Sequence, residues 1–439
     1  MQLRYTSPPT STMPSISDLV SSHRPDLTPY ITLYKHFHAH PELSHLESAT
    51  AGTIATQLKT INPNLTLHTS VGGHGIAAVL SNGHGPTVLL RADIDGLPVA
   101  EKTQLPYAST ATQVDSDGVR KPTMHACGHD MHITSLLAAT ELLSSCAASW
   151  AGTLVLVFQP AEERGAGARR MVDSGLYSLV PTPDVVLGGH VMPYRSGTLG
   201  TKRGLMASAA DSLRITLYGR GGHASQPHRL VDPVVMAAAT VMRLQGIVAR
   251  EVDPADSAVV SVTSVRAGEA ENVVPDEAVL RVNVRNVVPE TRKRVLAAIE
   301  RIVRAESVAS AAVKEPGFET TSGFPFTFND EQVTERLELG FGAHFEPWDG
   351  KAGYMRDAPR LSGSEDFGIL ATAVNKPSSY WIYGGIDPEV WDKAEKEGRL
   401  GEDIPINHSA LFAPVIMPTL QIATDAYAVA ALTWLAKTS

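Results

Sequence analysis

The sequence predicts an α/β fold: a mostly parallel sheet with helices on both faces, and a smaller α+β unit inserted into it. Three observations carry this. Apolar runs recur at residues 87–90, 153–158, 184–187 and 380–383, and helical stretches at 133–146 and 166–179 separate the first three, the alternation that builds a parallel sheet. Glycines or residues with polar and ligating chemistry follow each run at once. From Ala209 the texture changes to strand, helix, strand, strand, helix, strand, the pattern of a small split two-layer unit.

Composition fits this reading. The chain has 439 residues, 43% hydrophobic and 19% charged, more than one ordinary core and typical of a globular protein. Its net charge of −9 comes without a basic cluster, which argues against nucleic acid or an anionic membrane as partner. No apolar run reaches the length of a membrane span. Two cysteines are too few for a disulfide framework. The start is rich in Ser, Thr and Pro without an apolar signal core, so a ragged extension over residues 1–25 and a cytoplasmic location are expected. Asn407-His408-Ser409 is a glycosylation sequon, and a glycan there would obstruct a ligand role for His408.

Taken in order, residues 26–60 read as helix broken at His40-Pro41, with Leu27, Ile31, Tyr34 and Phe37 at helical spacing. His36, His38 and His40 are two apart and do not share a helical face, so capping and packing are expected of them. Residues 65–91 read as strands joined by glycine turns. Past the strand at 87–90 stand Asp93 and Asp95; past 153–158, Glu162 and Glu163; past 184–187, His190. In a parallel sheet ligands bind beyond the carboxyl ends of the strands, so these side chains converge. The inserted unit is expected over 207–320, with strands at 213–217, 258–265, 278–284 and 312–318 and helices at 232–250 and 292–308. The flanking parts of the larger α/β unit are then 26–206 and 321–439. Residues 389–402 read as a solvated loop or short helix, and 419–435 as the closing helix.

Residues 124–132 hold the densest chemistry: Cys127 and His129, with His125, Asp130 and His132 beside them. Thiolate sulfur and imidazole nitrogen suit zinc or a similar divalent ion, although a buried cysteine in a polar turn would read the same way. Candidate ligands are Cys127, His129, Glu163, His190 and His408. Five exceed one tetrahedral zinc and fit two metal ions with a bridging group. Glu162 is then free to act as a general base on a water acidified by the metal. A solvated acidic loop is the alternative for the Glu162-Glu163 pair. Asp95 is read as a group that orients a ligand.

The residues Arg91-Ala92-Asp93-Ile94-Asp95-Gly96-Leu97-Pro98, Met124 to Asp130, Phe158-Gln159-Pro160-Ala161-Glu162-Glu163 and Gly221-Gly222-His223-Ala224 resemble the M20 metallopeptidases, in their amidohydrolase branch. That branch holds hippurate hydrolases, N-acyl-amino-acid amidohydrolases and auxin-conjugate hydrolases. The resemblance implies a catalytic α/β domain with a lid that also forms a homodimer. It implies two divalent ions, zinc or manganese, on Cys127, His129, Glu163, His190 and His408, with Glu162 as base. It further implies that His223 reaches the scissile carbonyl from the partner subunit, and that Asn272 and Arg285 contact the carboxylate of an N-acyl amino acid. A dipeptidase or carboxypeptidase with the same centre, or a non-catalytic binder, is the alternative. The chain departs from the pattern at Gly96, usually alanine, at Arg164, usually a Gly-rich stretch, and at Asn407, usually leucine.

Overall fold

The structure, a computed structural model, describes residues 14–361 and 363–437. Residues 1–13 of the expected extension lie outside the described residues. Three helices open the chain: α1 (Ile16–His23), α2 (Thr28–Ala39) and α3 (Ser48–Ile61). Three strands follow: β1 (Thr66–Val71), β2 (Gly75–Asn82) and β3 (Thr87–Asp93). Then come α4 (His129–Ser145), β4 (Gly152–Gln159), α5 (Gly167–Asp173), β5 (Val185–Arg195) and β6 (Thr198–Gly200). The inserted unit contains β7 (Ala209–Tyr218), α6 (Pro233–Leu244), β8 (Ala258–Arg266), β9 (Glu277–Asn286), α7 (Pro289–Ala309) and β10 (Gly317–Phe324). The chain closes with α8 (Glu331–His344), β11 (Gly353–Met355), β12 (Ser378–Ile386), α9 (Pro388–Lys396) and α10 (Thr419–Leu435).

The main sheet has eight strands in the order β1-β2-β4-β3-β5-β12-β6-β11. Its four central strands β4, β3, β5 and β12 are parallel, while β1, β2 and β6 join antiparallel. The central strands are buried along most of their length, as helices on both faces require. Leu90, Leu154 and Leu187 point to one core, Leu89, Val155 and Val186 to the other, the period of two that a strand imposes. The first core is closed by α4 and α10, which are buried on nearly all sides. The second is closed by α5 and the short helix Gly368–Thr372.

The second sheet has the order β8-β9-β7-β10 and is antiparallel throughout. One face of it packs on α6 and α7 through Leu280, Val282, Met236, Ile299 and Val303. Its elements follow the expected order, with two differences. The helix read over 232–250 is two helices, the second Gly246–Glu251, because Gly246 is a weak continuation point. The strand read over 312–318 starts only at Gly317 and runs to Phe324, past residue 320. Here α7 ends at Ala309, and Ala311 turns the chain at φ 53°. Within the expected extension, Ile16–His23 is a helix capped by Ser15 and Asp18, with Leu19 and Val20 in the first core.

Candidate metal centre

The loop before α4 carries Cys127, and His129 is the first residue of the helix. Gly128 between them sits at φ 83°, and a Cβ there would lie 2.4 Å from Val191 Cγ1, so only glycine lets the loop close onto β5. After β4 the chain turns at Ala161, whose φ is 50°. Two buried acids hold this strained turn. Glu47 Oε1 accepts from the Ala161 N–H at 2.8 Å, and the Asp95 carboxylate accepts from the Glu162 and Glu163 N–H groups at 3.2 and 3.1 Å. Asp95 also takes the Ser44 hydroxyl at 2.6 Å and lies 3.3 Å from His129 Nδ1. It thus touches the backbone beyond β4 and the side chain that opens α4.

The five candidate ligands come together. Cys127, His129 and Glu163 each offer a ligand atom within 4.8 Å of the other two. His190 donates from Nδ1 to the Val191 carbonyl at 2.7 Å, which leaves Nε2 3.5 Å from Cys127 Sγ. His408 Nε2 is 3.3 Å from Glu163 Oε2, and its own N–H donates to the Ala126 carbonyl at 2.8 Å. The adjacent glutamates diverge. Glu163 faces these ligands, whereas Glu162 shares a cluster with Glu365 and Asp366 within 4.8 Å.

This donor set fits a cation. Nε2 of His129 and Oε1 of Glu163 are buried without hydrogen-bond partners, a costly state that coordination would relieve. Although burial alone lowers it, Asp93, Asp95 and Glu163 hold the His129 imidazole up at about 10. Burial, then Glu365, Glu163 and Asp366, raise the Glu162 carboxyl well above its usual range. Burial, then Glu163, Glu162, Asp93 and Glu365, raise the Cys127 thiol. The site therefore carries surplus negative charge that a divalent ion would neutralise.

Beneath it lies a network the sequence reading did not assign. Arg91, fully buried, donates to Asp93 at 2.7 Å, Glu365 at 2.9 Å and Gln159 at 2.9 Å. Asp93 accepts from His132 Nδ1 at 2.5 Å, and His132 Nε2 accepts from the Val191 N–H at 2.9 Å. Both His132 nitrogens are thereby used in holding the strand end beside His190. Glu365 and Asp366 arrive from more than two hundred positions away, on a loop without periodic signal. His38, expected only to pack or cap, is a buried bridge between Asp130 at 2.6 Å and Glu101 at 2.9 Å. Against the pull of burial, these two acids hold its imidazole up at about 9.

The remaining candidates lie on the second unit. His223 pairs with Val273 in a two-stranded ribbon, is exposed, and its Nδ1 contacts Ser225 Oγ at 2.8 Å. The Asn272 carbonyl accepts from the Ala224 N–H at 3.0 Å, so these two are neighbours. Arg285, on β9, donates to Ser364 Oγ at 3.3 Å, next to Glu365.

A cysteine, histidines and carboxylates around buried acids, at the carboxyl edge of a parallel sheet, form a candidate metal centre of the kind that activates water for hydrolysis. The sequence model described as Peptidase family M20/M25/M40 matches residues 89–397, and the chain belongs to that family. It is 38% identical over 335 residues to the hippurate hydrolase of Campylobacter jejuni, covering 76% of this chain and 82% of that one. It is 35% identical over 366 residues to the N-acetyl-L-cysteine deacetylase of Bacillus subtilis, covering 82% and 81%. Among solved structures it resembles a dinuclear metal-binding M20 peptidase of Bacillus subtilis, with TM-score 0.70, 26% identity and coverage of 94% and 98%.

Proposed function

We propose that this protein hydrolyses N-acyl amino acids, with two divalent ions per subunit held by Cys127, His129, Glu163, His190 and His408. The observation that carries the reading is Glu162: a carboxyl only 5% exposed, raised by neighbouring acids and 3.9 Å from His129 Nε2. Such a group accepts a proton readily. When bound, the ions would supply Lewis acidity and lower the pKa of water from near 16 to about 7. Glu162 takes the proton of the attacking water and returns it to the leaving amine. Asp95 keeps Glu162, Glu163 and His129 in mutual register through the contacts above.

His223 is assigned to the oxyanion that forms at the scissile carbonyl. Arg285 and Asn272 are assigned to the substrate carboxylate, since a guanidinium fork pairs with it bidentately. His223, exposed on its ribbon, is read as serving the centre of a second copy, so the active form is a homodimer through the lid. Support for that face comes from the edge strand β8, which exposes Val259 and Val265, and from α6, which exposes Val235 and Met242. The thiolate favours zinc, while the other donors also accept manganese. No described helix is long and apolar enough to cross a membrane, and we assign the protein to the cytoplasm.

The test is Glu162→Gln with metal content measured alongside turnover of hippurate-like amides. We expect metal to stay bound while kcat falls by roughly 10²- to 10⁴-fold, the usual worth of a general base. Near-wild-type turnover in the metal-loaded variant removes Glu162 from that role. A panel of acyl amino acids against dipeptides separates this reading from a dipeptidase or carboxypeptidase. No turnover on any amide, with metal fully loaded, leaves a binding protein.

A further inference from the structure

The loop that brings His408 to the centre also brings Asn407. Its side-chain amide nitrogen is 3.3 Å from the Cys127 carbonyl, 3.3 Å from the Val191 carbonyl and 3.8 Å from Cys127 Sγ. The orientation of the amide is fixed by its neighbours. Two backbone carbonyls only accept, so the NH2 end must face them. The Val191 carbonyl is the one that also takes the Nδ1 proton of His190. One amide group therefore ties the Cys127 loop, the end of β5 beyond His190 and the His408 loop together.

We propose that Asn407 is a positioning residue that tunes the sulfur of Cys127 by an N–H···S hydrogen bond, and that it joins three ligand-bearing segments. The proposal rests on the reading of Cys127 as a metal ligand. A donor aimed at a thiolate draws charge from it, so the sulfur binds its metal as a weaker electron donor while its anionic form is favoured. The amide has two hydrogens for these three acceptors, so the sulfur shares one with a carbonyl; the carbonyl contacts fix the distance between the Cys127 and Val191 backbones. Because the amide is turned inward onto these acceptors, a glycan on the Asn407-His408-Ser409 sequon would require breaking the clasp.

The experiment uses the full chain loaded with cobalt(II), whose sulfur-to-metal charge-transfer absorption reports on the thiolate. Asn407→Leu removes both N–H donors at similar size. We expect the band to move to longer wavelength, because a thiolate without its donor gives up an electron more easily. We also expect metal retention against a chelator to weaken by about 10- to 100-fold, the usual effect of losing a group that orients a ligand. Asn407→Ala serves if the leucine does not fold, and thermal melting checks both. Cys127→Ser must abolish the band. A wild-type cobalt protein without such a band sinks the ligand role of Cys127, and this proposal with it. A band unmoved in both Asn407 variants sinks the sulfur contact alone. Metal retention at the wild-type level sinks the clasp.

Discussion

Asp95→Asn tests how the centre is assembled. The aspartate is 1% exposed, and its two oxygens accept the N–H groups of Glu162 and Glu163 and the Ser44 hydroxyl. Asparagine has the same shape but only one accepting oxygen. Whichever way it turns, its NH2 group meets a backbone N–H, because Oδ1 faces Glu162 and Oδ2 faces Glu163. At least one charge-assisted bond is lost, worth about 1.5 to 3 kcal/mol, and a buried N–H is left unpaired at about 1 to 3 kcal/mol. The combined cost is roughly 3 to 5 kcal/mol, a large part of the stability of an ordinary domain, about 5 to 15 kcal/mol. The loss falls on the Glu162–Glu163 turn, where Ala161 is already held at φ 50°. The variant should fold with a lower urea midpoint, hold metal about 10- to 100-fold more weakly, and lose turnover even at saturating metal. Metal affinity and turnover both at the wild-type level would refute the idea that Asp95 sets the register of the ligands.

Two further outcomes follow from the same geometry. Gly128→Ala places a Cβ 2.4 Å from Val191 Cγ1 at φ 83°; left-handed backbone costs about 1 to 2 kcal/mol and overpacking about 1 to 3 kcal/mol, so urea unfolding should show a loss of roughly 2 to 5 kcal/mol. The His38 bridge makes stability depend on pH with a definite sign. Its folded pKa, about 9, lies above the ordinary 6.5, so its contribution is complete below pH 6.5 and is lost as pH rises to about 9. His38→Gln should flatten that part of the stability profile measured by denaturant melts; an unchanged slope between pH 6.5 and 9 would refute the charged bridge.

Much of the centre could be read from the chain because ligating chemistry sits in local motifs. Cys127 and His129 lie two apart, Glu162 and Glu163 are adjacent, and the glutamates and His190 follow apolar runs that lead to one edge of the sheet. The network beneath them was not legible in this way. Glu365 and Asp366 occupy a loop with no periodic signal, yet they meet Arg91 and Glu162. His38 lies in a run of alternating histidines whose spacing predicts only capping and packing, and the fold makes it a buried bridge between Asp130 and Glu101. His223 and Asn272 are adjacent in the ribbon of the second unit, a pairing that no spacing in the sequence gives away.

The sequence by itself determined the α/β class, the inserted strand-helix unit and the candidate ligand types, since these follow from periodicity and from donor chemistry carried on short segments. Tertiary structure alone decided which groups orient those ligands. Asp95 reaches across to the Glu162–Glu163 turn, His132 fixes Val191 beside His190, and Asn407 bridges Cys127 and Val191. The physical reason is that a hydrogen bond depends on position to within a few tenths of an ångström. Such positions are set by how the parallel strands and their loops pack, not by distance along the chain.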